Sequence, residues 1–158
     1  MQRKVRYSFG QFAIQSVREP VVDPVVCNSP DRLMQYWIDH IETSPLHQPD
    51  KELFAVVLFN TKIEAVGWHL VSLGSLNETC AHPREILRPV IVGAAYAFAM
   101  MHNHPSGCTD PSDADRRMTR RVREASEIIG INLMDHVIVG ARPGMPHSYF
   151  SFREVGLI

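Results

Sequence analysis

The sequence predicts a mixed α/β domain, a largely antiparallel sheet with flanking helices, on three observations. Short apolar runs of strand length, at Leu53 to Phe59, Ile63 to Leu73, Tyr96 to Met101 and Leu133 to Val139, alternate with segments of helical periodicity. Two of those helical segments carry start signals, Asn28-Ser29-Pro30 and Pro111-Ser112-Asp113. At 158 residues, 45% of them hydrophobic, the chain can bury a proper core, and one domain is the default.

Each element has its own local reason. Val5 to Val17 alternates loosely around Gly10, which predicts one or two strands, and a Pro-containing connector runs from Pro20 to Pro30. Residues 1–28 are thus read as an extension and 29–158 as the domain. Asn28 or Ser29 caps a helix from Pro30 to about Thr43, whose stripe of Leu33, Met34, Trp37, Ile38 and Ile41 reads as core. A polar loop from Ser44 to Lys51 leads into the strand Leu53 to Phe59, a turn at Asn60-Thr61-Lys62 and a strand from Ile63 to Leu73, together a β-hairpin. A helix opens at Pro83 behind an Ala81 or His82 cap. Tyr96 to Met101 suits a buried strand. Ser112 then caps a helix to Gly130 with apolar positions at Ala114, Met118, Val122, Ala125 and Ile129. A strand from Leu133 to Val139 and a short one near Tyr149 to Phe152 complete the set.

Composition narrows the function classes. The longest apolar run, Pro89 to Met101, is too short to span a bilayer, and Met1-Gln2-Arg3-Lys4 is not followed by a signal-peptide core, so the expectation is a soluble cytoplasmic protein with no membrane partner. Cys27, Cys80 and Cys108 are odd in number and unrelated in spacing, which is neither a disulfide framework nor a zinc knuckle. A net charge of -1 supplies no global field for nucleic acid. A basic patch must be local, and Arg116, Arg117, Arg120, Arg121 and Arg123 on one helix are the candidates for a weak DNA association. The same residues also read as a solvated helix face salted with Glu124 and Glu127.

The chemistry concentrates in residues 101–115. Residues two apart on an extended segment project to one side, so His102 and His104 face one point just beyond the strand's end. Pro105 and Gly107 end the strand, and Asp115, in the first turn of the next helix, can reach back toward the imidazoles. Two imidazole nitrogens and a carboxylate oxygen make a three-ligand set for Zn²⁺ with the fourth position left for water. A His pair beside Pro and Gly is also common in ordinary loops, and on residues alone both readings stand. Asn103 points away from the ligands and is read as holding the loop. Asp135-His136 raises a fourth ligand or supporting partner, with a buried, hydrogen-bonded core histidine preferred.

The order His102-x-His104-Pro105, six residues, Ser112, two residues, Asp115 resembles the JAMM (JAB/MPN) metalloprotease motif, and His-Asn-His-Pro-Ser-Gly with Pro111-Ser112 resembles its RadC branch. Flanking matches are Glu52 with Phe54, Asn60-Thr61-Lys62, Gly74-Ser75-Leu76-Asn77, His82-Pro83-Arg84-Glu85, Asp135 to Gly140, and Tyr149 to Glu154. The similarity covers most of residues 29–158 and implies the JAB/MPN, cytidine-deaminase-like architecture. Two departures stand out. Cys108 replaces the acidic residue usual after His-Pro-Ser-Gly, and Pro89 falls inside a helix, which it would kink or shorten.

The resemblance implies roles that composition could not assign. Glu52, before a strand, takes the family's general base and acid, and Ser112 the stabilisation of the oxyanion beside its capping duty. The expected function is zinc-dependent hydrolysis of a peptide or isopeptide bond by a metal-activated water. The alternative is a non-catalytic, metal-stabilised module associated with DNA repair, weakened by the lack of a recognisable helix-hairpin-helix segment such as longer RadC relatives carry.

Overall fold

The structure is a computed structural model describing residues 24–74, 82–140, 144 and 146–158. The strands expected in Val5 to Val17, and the Ser75-Leu76-Asn77 match, lie outside the described residues. Among the described residues six strands form one sheet: β1 (Val25–Val26), β2 (Leu53–Phe59), β3 (Glu64–Leu73), β4 (Ala97–His104), β5 (Asn132–Gly140) and β6 (Ser148–Ser151). Their order is β1-β3-β2-β4-β5-β6. Every neighbouring pair is antiparallel except β4 and β5. Helices α1 (Pro30–Tyr36), α2 (Pro83–Val92) and α3 (Asp113–Ile129) complete the fold. The parallel pair is a consequence of α3, because a helix of this length carries the chain back to the start of the sheet before β5 begins.

Strand alternation distributes the core over two faces. Leu53, Ala55, Val57 and Phe59 of β2 and Ala97, Ala99 and Met101 of β4 join Leu33, Trp37 and Ile41 on one side. Phe54, Val56, Phe98 and Met100 join Ile86 and Val90 of α2 and Val122 of α3 on the other. β4 is covered on both faces, which explains why Ala97 to Met101 are apolar without interruption.

Several elements depart from expectation. β4 runs through His104, so both histidines lie within its last residues rather than beyond its end. The first helix continues past Tyr36 as a wider π-type turn over Trp37–Ile41. Pro89 does not end α2, which continues to Val92, where Gly93 N–H closes on the Pro89 carbonyl at 2.8 Å. The connector from Pro20 to Pro30 contains β1, whose Val25 and Val26 pair with Ala65 and Glu64 at the sheet edge. The buried face of α3 is more polar than the predicted stripe: Asp115, Thr119 and Ser126 are buried beside Val122, while Ile129 is exposed. That face covers two buried histidines, and polar side chains there satisfy them.

One glycine contact shapes the loop after β4. A Cβ on Gly140 would lie 2.6 Å from the Gly107 carbonyl oxygen and 2.8 Å from both Ser148 Oγ and Thr109 Cγ2. The His104 to Thr109 loop therefore rests directly on the end of β5. Gly140→Ala forces that loop outward, and the expected loss of stability is about 1–3 kcal/mol, read as a lower urea midpoint at unchanged slope. An unchanged midpoint would mean that the loop does not press on this strand.

Candidate metal centre

The ligand atoms of His102, His104 and Asp115 lie within 4.8 Å of one another, and these three residues are the group that could hold a metal ion among the described residues. β4 supplies the imidazoles because its even-numbered side chains face α3, and the capping box of α3 supplies the carboxylate. In that box Ser112 N–H and O–H both donate to Asp115 Oδ2, at 2.8 and 2.6 Å, and Asp115 N–H donates to Ser112 Oγ at 3.1 Å. Asp115 is thereby anchored at one oxygen, while Oδ1 stands 3.4 Å from His102 Nε2. Oδ2 is 3.8 Å from His104 Nε2.

His104 can be assigned a tautomer directly. Its Nδ1 is 2.7 Å from the Cys108 carbonyl oxygen, which can only accept, so Nδ1 carries a proton and, in the neutral ring, Nε2 presents a lone pair. That lone pair faces His102 Nε2 at 3.1 Å. Two nitrogens bound to one tetrahedral zinc at about 2.0–2.1 Å would stand roughly 3.3–3.4 Å apart. The nitrogen–nitrogen spacing of 3.1 Å and the nitrogen–oxygen spacings of 3.4 and 3.8 Å lie close to that requirement. Burial pushes the His102 imidazole down to about 4, against the pull of Asp115 and with the push of His104, so it is neutral near pH 7.

The remaining predicted residues distribute around this group. Asn103 projects to the opposite side, where Oδ1 accepts from Leu53 N–H at 2.8 Å and Nδ2 donates to the Lys51 carbonyl at 3.1 Å. Its amide thus clamps the backbone on both sides of Glu52, whose carbonyl accepts from Gly74 N–H at 2.9 Å. The β2–β4 register ends with Phe54 opposite His102, and Glu52 lies two residues before Phe54 in the chain. Ser112 caps α3 as expected, and its hydroxyl proton is committed to Asp115. Cys108 is exposed and contributes its carbonyl to His104, while its Sγ lies 3.4 Å from Asp110 Oδ2.

Sequence reasoning undervalued two residues. His136 is fully buried, as expected, but it is also a direct neighbour of His102, with Nε2 at 2.9 Å from His102 Nδ1. Thr119 belongs to no motif in the sequence, and its Oγ1 is 2.6 Å from His136 Nδ1. The one local signal was the position of Thr119 four residues after Asp115, which places both on one helix face. Burial holds the His136 imidazole well below its ordinary range, reinforced by His102 and His104. Among other histidines, His82 caps α2 and His147 Nε2 pairs with Glu42 at 2.8 Å.

The arginines lie along the exposed side of α3. Arg116, Arg117, Arg120 and Arg123 line a groove of about 770 Å³ together with Asp113, Glu124, Glu127, Phe152 and Leu157. Arg123 is paired with Glu127 at 3.1 Å. No helix among the described residues is long and apolar enough to cross a membrane.

Comparison with known proteins gives this geometry a context. Residues 27–157 match the RadC-like JAB domain. A UPF0758 protein of Rubrobacter xylanophilus is 46% identical over 109 residues, covering 69% of this chain and 45% of its own length. One from Desulfitobacterium hafniense is 36% identical over 155 residues, covering 98% of this chain and 63% of its own. Another, from Clostridioides difficile, is 40% identical over 124 residues, covering 78% and 51%. The chain thus spans between 45% and 63% of the length of these relatives. With nearly the whole described fold inside the match, the chain belongs to the RadC-like JAB domain family.

Proposed function

We propose that this domain is a zinc-dependent hydrolase of peptide or isopeptide bonds, with His102, His104 and Asp115 as the metal ligands. The observation that carries the reading is the convergence of an imidazole lone pair on His104, His102 Nε2 and the Asp115 carboxylate on one point. Three such ligands leave a coordination position open, which is the pattern of catalytic rather than structural zinc. When bound, zinc would lower the pKa of a water toward roughly 7 and polarise a substrate carbonyl.

The chain's own residues supply the proton handling. Glu52 accepts a proton from the attacking water and returns it to the leaving amine. Its support is the Asn103 clamp, which fixes the backbone of residues 51–53 relative to the strand carrying both histidines. Ser112 donates to the developing oxyanion once its hydroxyl is released from Asp115 Oδ2, to which it is bonded at 2.6 Å. Asp115 retains the Ser112 N–H as a donor after that release, so its orientation survives.

A second reading, a metal-stabilised binding module that associates with DNA, is supported by the arginine-lined groove on α3. The three acidic residues in the same lining, Asp113, Glu124 and Glu127, weaken its field and favour the hydrolase.

Wild-type protein is expected to hold roughly one equivalent of zinc by elemental analysis, and replacing His102, His104 or Asp115 with Ala to weaken zinc binding by more than about 100-fold. Metal retained by all three variants would place the ion elsewhere. Glu52→Gln is expected to keep its zinc yet lose at least about 100-fold of turnover on a panel of fluorogenic peptide and isopeptide substrates. Undiminished turnover in that variant removes Glu52 from the reaction. In DNA titrations the expected dissociation constants are about 10⁻⁴ to 10⁻⁶ M, rising steeply with salt. Nanomolar binding abolished by changing Arg116, Arg117 and Arg120 to Ala would instead promote the binding module.

A further inference from the structure

We infer that His136 and Thr119 form a buried hydrogen-bond relay that locks His102 in the tautomer whose Nε2 lone pair faces the metal position; this rests on the metal reading above. The relay has three contacts: His102 Nδ1 to His136 Nε2 at 2.9 Å, His136 Nδ1 to Thr119 Oγ1 at 2.6 Å, and Thr119 Oγ1 to the Asp115 carbonyl oxygen at 2.7 Å.

The direction of the chain follows from where the Thr119 hydroxyl proton goes. Of the two contacts at Thr119 Oγ1, only the one to the Asp115 carbonyl has a fixed direction, with the hydroxyl donating, and the proposal places the single hydroxyl proton there. Thr119 Oγ1 can then only accept from His136, which puts the His136 proton on Nδ1. His136 Nε2 is left as an acceptor, and His102 must donate to it from Nδ1. A neutral His102 protonated on Nδ1 has its lone pair on Nε2, the atom that stands 3.1 Å from His104 Nε2 and 3.4 Å from Asp115 Oδ1. This is the opposite of the tautomer that neutral histidine prefers in water, so the protein must impose it.

The surroundings keep water out of the relay and hold its rings in place. His102 and His136 have no exposed surface and Thr119 is buried, so water cannot replace a lost contact. Neither ring is free to turn: His136 stacks on Phe152 with centroids 4.7 Å apart, and His102 on Phe54 at 5.6 Å. The His136 backbone is held as well, its N–H donating to Asp135 Oδ1 at 2.7 Å. One helix face therefore supplies both a carboxylate toward the metal position, from Asp115, and the terminus of the relay, from Thr119. His136 and Thr119 are positioning residues, acting through His102.

Thr119→Val keeps the shape of the side chain and removes the acceptor. The His136 Nδ1 proton then has no partner, and relieving it means moving the proton to Nε2, which drives the His102 proton onto the nitrogen that faces the metal position. The test titrates metal-free protein with zinc alone against a competing chelator, and assigns the His102 tautomer from imidazole ¹⁵N shifts of the metal-free wild type at mildly alkaline pH. The expected result is a protonated Nδ1 in wild-type His102, zinc affinity lower by about 10–100-fold in Thr119→Val, and affinity close to wild type in Thr119→Ser. A protonated Nε2 in the metal-free wild type, or full zinc affinity in a folded Thr119→Val, overturns the relay. Should the valine variant fail to fold, the wild-type tautomer alone decides. Should the wild type bind no zinc, the hydrolase reading falls, and the tautomer still decides the relay.

Discussion

The two-sided burial of β4 is the constraint on which the rest of this structure depends. A strand covered on both faces must spend every residue, and alternation assigns them: Phe98 and Met100 to the side of α2 and α3, Ala97, Ala99 and Met101 to the side of α1. The same alternation continues into the polar end of the strand. His102 and His104 fall on the α3 side, and Asn103 falls opposite, where its amide holds the backbone on either side of Glu52. A shift of one residue in the β2–β4 register would exchange those faces and dismantle the site.

Burying polar groups beneath α3 is costly unless each finds a partner, and the structure meets that requirement almost entirely with short hydrogen bonds. Asp135 illustrates the pattern. Burial pushes its carboxyl above the usual range, while donors from Ser151 Oγ at 2.7 Å, His136 N–H at 2.7 Å and Arg153 N–H at 3.0 Å hold it back. Those bonds tie β6 and the chain beyond it to β5, which seats Phe152 against the His136 ring. Around the three metal-ligand candidates the logic differs, because His104 turns a lone pair toward atoms that cannot all donate to it. His102, His104 and Asp115 are therefore the group that could hold a metal ion among the described residues, in contrast to the satisfied polar groups around them.

The cysteines show how burial rather than residue type decides reactivity. Cys27 lies in the α1-side core, where burial pushes its thiol up to about 11 despite the nearby Arg32 charge, and it is inert for that reason. Cys108 is exposed and bonds through Sγ to Asp110, yet its contribution to the site is a main-chain carbonyl that any residue could provide. That explains how the loop accommodates cysteine where the family resemblance expects an acidic residue.

The sequence alone determined those features that arise from local rules. Strand alternation put two imidazoles on one side, Ser112 and Asp115 declared a helix start, and the spacing between them was enough to bring out the family resemblance. The antiparallel hairpin, the caps at Ser29 and His82, and the αL turn at Gly130 follow from the same short-range chemistry. Only the tertiary structure decided what lies behind the site. His136 reaches His102 because β5 pairs in parallel with β4, and Thr119 reaches His136 because α3 crosses over that pair. The clamp of Asn103 on Lys51 and Leu53 likewise joins positions about fifty residues apart through the β2–β4 register. Periodicity reports which way a side chain points. It does not report what that side chain meets, and hydrogen bonds across strands depend on register and crossover, which no local pattern encodes.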